Sequence, residues 1–370
     1  LFTHAILLHF GLITVPRCGY YAALQPKLFL WVSCAALAWA ISRICECRKR
    51  LRQIAVLTIV AGTCEALFGI LGLYSDTGIF NVFVRSMRAA GTFSSGNSFG
   101  GFLAISTTLT LGSALLSFSK ASKHIKQRGS RLLHLATRED YRILTAAAFA
   151  ASLLVQVTAL LLSGSRGAMI STGLVCLLLL LWFAIHAKQQ PETKHALPLI
   201  LALTLTTIAL GTGGAFAVAS QRMQQLGSAD TSTLSRLAIW KGSCEIVRTY
   251  PLGVGFGSLP NIFPAFQPLG FDANRVYHAH NDYLELLVEL GIPGMLLLIL
   301  VMGILLSTTA RRICMKSSRS RSLWIRRGAF LACLAALIHA SVDFNLSSRP
   351  GVMALFAISL GIALSRSAPT

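Results

Sequence analysis

Apolar runs close to the length of a membrane crossing recur from one end of this chain to the other, at about 1–15, 28–42, 54–74, 100–118, 143–163, 168–187, 196–220, 283–306, 328–342 and 351–366. A helix rises 1.5 Å per residue, so roughly 20 apolar residues cross the ~30 Å hydrocarbon core. In lipid a helix satisfies its own backbone hydrogen bonds, which an open strand cannot do. The pattern predicts an all-α, polytopic integral membrane protein with about 10 transmembrane helices. Composition agrees: of 370 residues, 54% are hydrophobic and 12% charged, and the mean hydropathy is +0.65, values outside those of a soluble core. The first run opens without an initiator Met, so this reading expects further helices upstream of Leu1.

A net charge of +20 would point to nucleic acid in a soluble protein. Here the charges sort by side of the membrane. With loops 43–53, 119–142, 188–195, 307–327 and the tail on one side, that side holds 22 of the 33 lysines and arginines, although the longest loop lies on the other. The positive-inside rule makes the basic side cytoplasmic. Its charges read as topology signals and contacts to anionic membrane lipids, with no nucleic acid partner. Of the nine cysteines, only Cys18 and Cys244 fall on the outer side, and Cys45-Glu46-Cys47 lacks the second ligand pair of a zinc site.

Polar residues gather on the outer face. The loop from Ser75 to Gly100 carries Arg85, Arg88, Gly91-Thr92-Phe93 and Asn97, small and amide residues that let backbone approach a polar ligand or simply turn. The hairpin Ser163 to Gly167 sets Arg166 at a helix start. There it either snorkels to headgroups or joins the free amides in holding a phosphate. In the long segment 221–282, Ser235 to Tyr250 reads as an amphipathic helix, with Leu237, Ile239, Trp240 and Val247 on the bilayer and Arg236 turned inward. The alternating glycines of Pro251 to Ser258 are spaced wrongly for a dinucleotide fingerprint and read as a compact turn. The first outer loop, Pro16 to Lys27, carries no constellation. His339 and Asp343, four apart, are expected to share a helix face as a supporting pair.

The segment Tyr277 to Gly294 joins the longest polar stretch to an apolar run. Asp282 is expected to cap the helix that starts there, with Glu285 reaching back as the other half of a capping box. His278 and His280 then lie just outside the cap, and a neutral imidazole in that position can act as a general base. His280, Arg166, Arg236, Arg85 or Arg88, and Asn97 fall on one face by a topology that did not use them. Arginines beside a histidine, with no matching run of acids, suit an anionic lipid-linked ligand and proton abstraction from a hydroxyl.

The chain resembles the O-antigen ligase family of integral-membrane glycosyltransferases. The family pattern of His, Asn or a similar residue, nine residues, Gly, two residues and Gly is met by His280, Asn281, Gly291 and Gly294. Ser165-Arg166-Gly167, the spacing from Arg236 to Trp240, Pro251 to Gly257, and Gly91-Thr92-Phe93 with Asn97 match as well, so the likeness covers about Arg85 to Gly294. It implies a fold of about 12 helices with one large periplasmic loop, divided here into N-terminal helices 1–74, a ligase-like core 75–306 containing loop 221–282, and C-terminal helices 307–370. It also implies transfer of a glycan from an undecaprenyl-diphosphate donor to a lipid- or glycan-linked acceptor, on the periplasmic face of a bacterial inner membrane. By the same resemblance His280 is the general base and Arg166 and Arg236 bind the diphosphate. Asn281, Arg88, Asn97, His278 and Asp343 support the site, and no metal or cofactor is called for. The rival reading is a flippase that uses the same arginines without chemistry. Against it, the polar groups gather at one face and not at the midplane.

Overall fold

The computed structural model describes residues 20–74, 88–128, 141–188, 229–268, 276–315 and 322–366. The expected runs at 1–15 and 196–220 lie outside the described residues, as do Cys18, Arg85 and parts of segment 221–282. The described elements are helical, with no strand among the described residues: α1 (Tyr20–Ile44), α2 (Arg48–Tyr74), α3 (Gly96–Arg128), α4 (Tyr141–Leu162), α5 (Arg166–Lys188), α6 (Ala229–Thr249), α7 (Leu259–Ile262), α8 (Asp282–Met315), α9 (Leu323–His339), α10 (Asn345–Ser348) and α11 (Pro350–Leu364). Among the described residues, six segments are long and apolar enough to cross a membrane: Pro26–Ile44, Arg48–Leu73, Gly96–Ala121, Tyr141–Leu162, Arg166–His186 and Asp282–Cys314. They correspond to six of the expected ten. The runs at 328–342 and 351–366 form α9 and α11, of 17 and 15 residues, and α9 is buried along most of its length.

Contacts divide the chain into two compact units. One comprises Leu37–Gln221, Thr309–His339 and Ala354–Thr370; the other comprises Leu1–Ala36, Arg222–Thr308 and Ala340–Met353.

The first unit is built on α3, which packs against α2, α4, α5 and α9. Its Phe99, Leu103, Leu109 and Leu115 are fully buried. Hydroxyls run along the same helix, where a buried one is costly without an acceptor. Thr108, Thr110 and Ser113 donate to the carbonyls four residues back, Ala104, Ser106 and Leu109. Gln156 links helices by accepting from Thr110 and donating to Thr63, at 3.1 and 3.0 Å. Gly112 and Gly328 let α3 and α9 touch backbone to backbone, as small residues do where the hydrophobic effect cannot drive helices together. The outer faces of α2 and α5 expose Leu57, Leu67, Ile170, Leu177 and Leu181, a surface fitted to acyl chains.

In the second unit, α6 buries Ile239 and Ile246 against Val254, Leu259, Phe263, Val276, Ala279 and Val288. This corrects the expectation that the apolar face of that helix rests on the bilayer. Ile239, Trp240 and Val247 pack into a local core, and Leu237 remains exposed. The following segment supplies enough apolar side chains to cover the helix itself. The alternating glycines form the compact turn expected, with Gly253, Gly255 and Gly257 all at positive φ. The turn hydrogen bonds to a break in α8. Val254 N donates to Val288 O, Gly255 N to Glu289 O and Ile292 N to Pro251 O, at 2.8 to 3.0 Å. At the break Gly291 has φ 69 and ψ −179, and Pro293 restarts the helix, where a proline costs no hydrogen bond. Before the break, Asp282, Glu285, Leu286, Val288 and Glu289 are buried; after it, Leu296, Leu297, Ile299 and Leu300 are exposed.

Candidate functional site

The sequence-predicted residues divide between the two units. His280, His278, Asn281, Arg236 and Asp343 belong to one; Arg166, Arg88 and Asn97 belong to the other.

Asn281 is the cap of α8. Its Oδ1 accepts from Tyr283 N and Leu284 N, both at 3.1 Å, and its carbonyl accepts from Glu285 N. The expected cap, Asp282, does other work. Its carboxylate accepts from Leu346 N and Ser347 N at 2.8 and 2.9 Å, and its own N–H faces Ala340 O and Asp343 O. Asp282 thus fastens the loop that holds Asp343 and Phe344 to the helix that follows His280. Glu285 does reach back, to Ala279 N at 3.1 Å. Asn281→Ala is expected to cost about 1 kcal/mol of stability, as N-cap losses do, read as a lower thermal midpoint that Asn281→Asp restores. A loss of activity that Asn281→Asp leaves in place would instead point to a role for the amide in the chemistry.

His280 is the sole non-glycine residue at positive φ among the described residues, with φ 51. Such a conformation costs about 1–3 kcal/mol and persists where the surroundings fix it. The side chain is partly exposed, but Nδ1 is buried and makes no hydrogen bond among the described residues. It lies 3.9 Å from Asp343 Oδ1, beyond hydrogen-bond range. Asp343 is buried and held by Phe344 N and Asn345 Nδ2 at 3.0 and 3.1 Å. Phe344 fixes both histidine rings. His278 stacks on it at 4.1 Å and 8°, and His280 meets it edge-on at 4.9 Å and 82°.

His278 Nδ1 lies 3.3 Å from both oxygens of Glu285 and 3.4 Å from Ser348 Oγ. Glu285 also accepts from Lys27 Nζ at 3.0 Å, and Lys27 reaches Glu289 at 2.7 Å. Both carboxylates are buried. Sequence reading passed over Lys27 and this network. The available signal was two glutamates at i and i+4 in an apolar run, a pair that burial obliges to find a cation.

Arg236 stands one helical turn before Trp240, whose Nε1 donates to Ala279 O at 2.9 Å, between the two histidines in sequence. It is half-buried and has no hydrogen-bond or ion-pair partner among the described residues.

In the other unit, Ser165 caps α5, its Oγ accepting from Ala168 N, and Arg166 opens that helix as expected. Arg166 is exposed, without a hydrogen-bond or ion-pair partner among the described residues. Arg88 and Asn97 meet each other. Arg88 donates to Asn97 Oδ1 and to Ser163 O, both at 2.6 Å, and so ties its loop to the hairpin before Arg166. His339 Nε2 is 3.5 Å from Ser165 Oγ. The helix α9 ends at His339, so the single helix face expected to carry both His339 and Asp343 stops short of Asp343.

The exposed Arg166 and the half-buried Arg236 each suit a phosphate-bearing ligand, and His280, with one nitrogen buried toward a carboxylate, suits proton transfer at the other. Residues 149–299 match the family model described as O-antigen ligase. No curated protein matches the chain.

Proposed function

From the match of residues 149–299 to the family model described as O-antigen ligase, we propose that the chain belongs to that family and moves a glycan from an undecaprenyl-diphosphate carrier to an acceptor hydroxyl on the periplasmic face of the inner membrane. The family match supports a membrane glycosyltransferase of ligase or polymerase type acting on lipid-linked glycans. The observation that carries the finer reading is His280. It is a histidine held at positive φ with Nδ1 buried toward Asp343 and its ring wedged against Phe344.

In this reaction Nε2 of His280 takes the proton of the acceptor hydroxyl, and Asp343 steadies the imidazolium that results. The acceptor oxygen forms its bond to the anomeric carbon from the face opposite the carrier. The bond to the diphosphate breaks, its electron pair leaves with the carrier, and the anomeric configuration inverts. Arg166 and Arg236 bind the diphosphate and hold the charge that builds on it, for which a fixed guanidinium fork is suited. His278 and Asn281 position the loop around His280, while Arg88 and Asn97 brace the hairpin that carries Arg166.

The test is single-turnover transfer from a synthetic undecaprenyl-diphosphate glycan by the purified full chain, with a panel of acceptors and mass detection of product. Product with any acceptor supports the transferase and names its acceptor class. Donor binding without product from any acceptor overturns it in favour of a flippase. Arg166→Ala and Arg236→Ala are expected to weaken donor binding, each by about tenfold or more, since a charge-assisted hydrogen bond contributes ~1.5–3 kcal/mol.

A further inference from the structure

His278 is gripped by one ring face and one nitrogen, and the groups that grip it belong to one of the two units. Its ring lies flat on Phe344, and Nδ1 faces both oxygens of Glu285 at 3.3 Å, with Ser348 Oγ at 3.4 Å. Glu285 is itself fixed. It accepts from Lys27 Nζ at 3.0 Å, Ala279 N at 3.1 Å and Ser347 Oγ at 3.4 Å. Lys27 is held in turn by Glu289 at 2.7 Å, with its ammonium 5.1 Å from the centre of the Phe256 ring. Taking an ammonium and two carboxylates out of water is costly. What the cluster achieves locally is the orientation of one imidazole.

A carboxylate that already receives an ammonium and an amide offers lone pairs, so Nδ1 is the nitrogen of His278 that carries the hydrogen. Nε2 is then the atom left for a ligand. It makes no hydrogen bond among the described residues, and 28% of the side chain is exposed. His280 repeats the arrangement two residues on: its Nδ1 is buried toward Asp343, its ring meets the same Phe344, and 36% of its side chain is exposed. Two imidazoles resting on one phenyl ring therefore each offer Nε2, and a ligand that engages both carries two polar groups on one small frame.

The surrounding charges narrow its class. Asp282, Glu285, Glu289 and Asp343 are buried around the rings, against Lys27, which two of them share, and Arg349, whose guanidinium lies 4.9 Å over Phe344. With acids in the majority an anion is disfavoured, whereas a neutral hydroxyl can donate to an imidazole nitrogen or accept from it. Tyr277, the residue before His278, exposes its ring, an amphipathic surface of the kind that small polar ligands lie against. A sugar ring presents adjacent hydroxyls on such a frame; a serine or threonine side chain presents one alone.

We propose that Nε2 of His278 hydrogen-bonds a second hydroxyl of the acceptor, next to the one that His280 deprotonates, and that the acceptor is a sugar with adjacent free hydroxyls. Resting on the transfer reaction proposed above, this makes His278 a specificity-determining residue through an orientation that Glu285 holds. The test is equilibrium binding of methyl glycosides by the full chain in detergent, with no donor present, followed by saturation-transfer NMR. The panel holds methyl hexosides, an N-acetylhexosaminide and a heptoside, each beside its monodeoxy forms. In wild type, one monodeoxy form of the best sugar is expected to bind about fivefold more weakly than the parent, the usual contribution of one neutral hydrogen bond. That comparison depends on no variant folding. His278→Ala is expected to lose the same factor for the parent sugar and to bind that monodeoxy form as wild type does. Wild type that binds no methyl glycoside, equal affinities in wild type and His278→Ala, or an equal loss in His278→Ala for the parent and all its monodeoxy forms overturns the proposal. Single-turnover transfer to the same sugars keeps the two readings apart. Sugar binding that depends on His278 without transfer leaves the contact in place and removes the reaction, and transfer with binding indifferent to His278 does the reverse.

Discussion

His280→Ala is expected to lower single-turnover glycan transfer by ~10²–10⁴, the usual contribution of a general base, while binding of the undecaprenyl-diphosphate donor is unchanged. The split between the two readouts is what gives the variant its meaning. The imidazole is assigned to the acceptor's proton and not to the diphosphate, so removing it should leave the donor's contacts alone. The substitution should also spare the local fold. Phe344 keeps His278 stacked on its face at 4.1 Å, Asp343 keeps its bonds to Phe344 N and Asn345 Nδ2, and alanine removes no hydrogen bond of Nδ1 among the described residues. Asp343→Asn should lower transfer less, because that carboxylate acts through His280. Wild-type transfer rates in His280→Ala would end the base assignment. An equal loss of donor binding would move His280 into the diphosphate site.

Gly291→Val is expected to cost ~2–6 kcal/mol, combining ~1–3 kcal/mol of strain in a backbone region open almost only to glycine with ~1–3 kcal/mol of overpacking. With φ 69 and ψ −179, Gly291 sits in that region. A Cβ there would lie 2.2 Å from the carbonyl carbon of Leu252, and backbone cannot step aside as a side chain can. Gly253 presses from the other direction, since its own Cβ would stand 2.4 Å from Gly291 N. The two glycines therefore lock the turn after α6 onto the break in α8, and the break sets where the His280 loop sits on its unit. Thermal midpoint and folded yield in detergent would show the loss. Gly303→Val is the control, on the same helix with nothing within 4 Å of an added Cβ. Equal midpoints for the two variants would refute the account.

This explains in physical terms why the family pattern requires glycine at those places. Gly291 is needed for a backbone no side chain tolerates, and Gly294 because a Cβ there would meet Leu290 across the break at 2.7 Å. The sequence showed the spacing from His280 and Asn281 to Gly291 and Gly294 without showing the break itself. Helical periodicity continues through Leu290 to Leu300 on both sides of it.

The sequence by itself determined the membrane class, the six candidate spans, the turn at the alternating glycines, the helix that begins at Arg166 and the likeness to the O-antigen ligase family, whose model matches residues 149–299. All of these depend on composition, on spacing within a few residues, or on a motif. Only the tertiary structure decided which polar group answers which. Lys27 bonds Glu285 across 258 residues of sequence. Asn281 took the cap that Asp282 was expected to fill, which left Asp282 to hold the loop at Leu346 and Ser347. His339 lies 3.5 Å from Ser165, and Asp343 faces His280 at 3.9 Å. Any short polar side chain near a helix start can cap it, and any carboxylate can receive a cation. Which one does so depends on where packing brings distant segments together, and no local pattern records that.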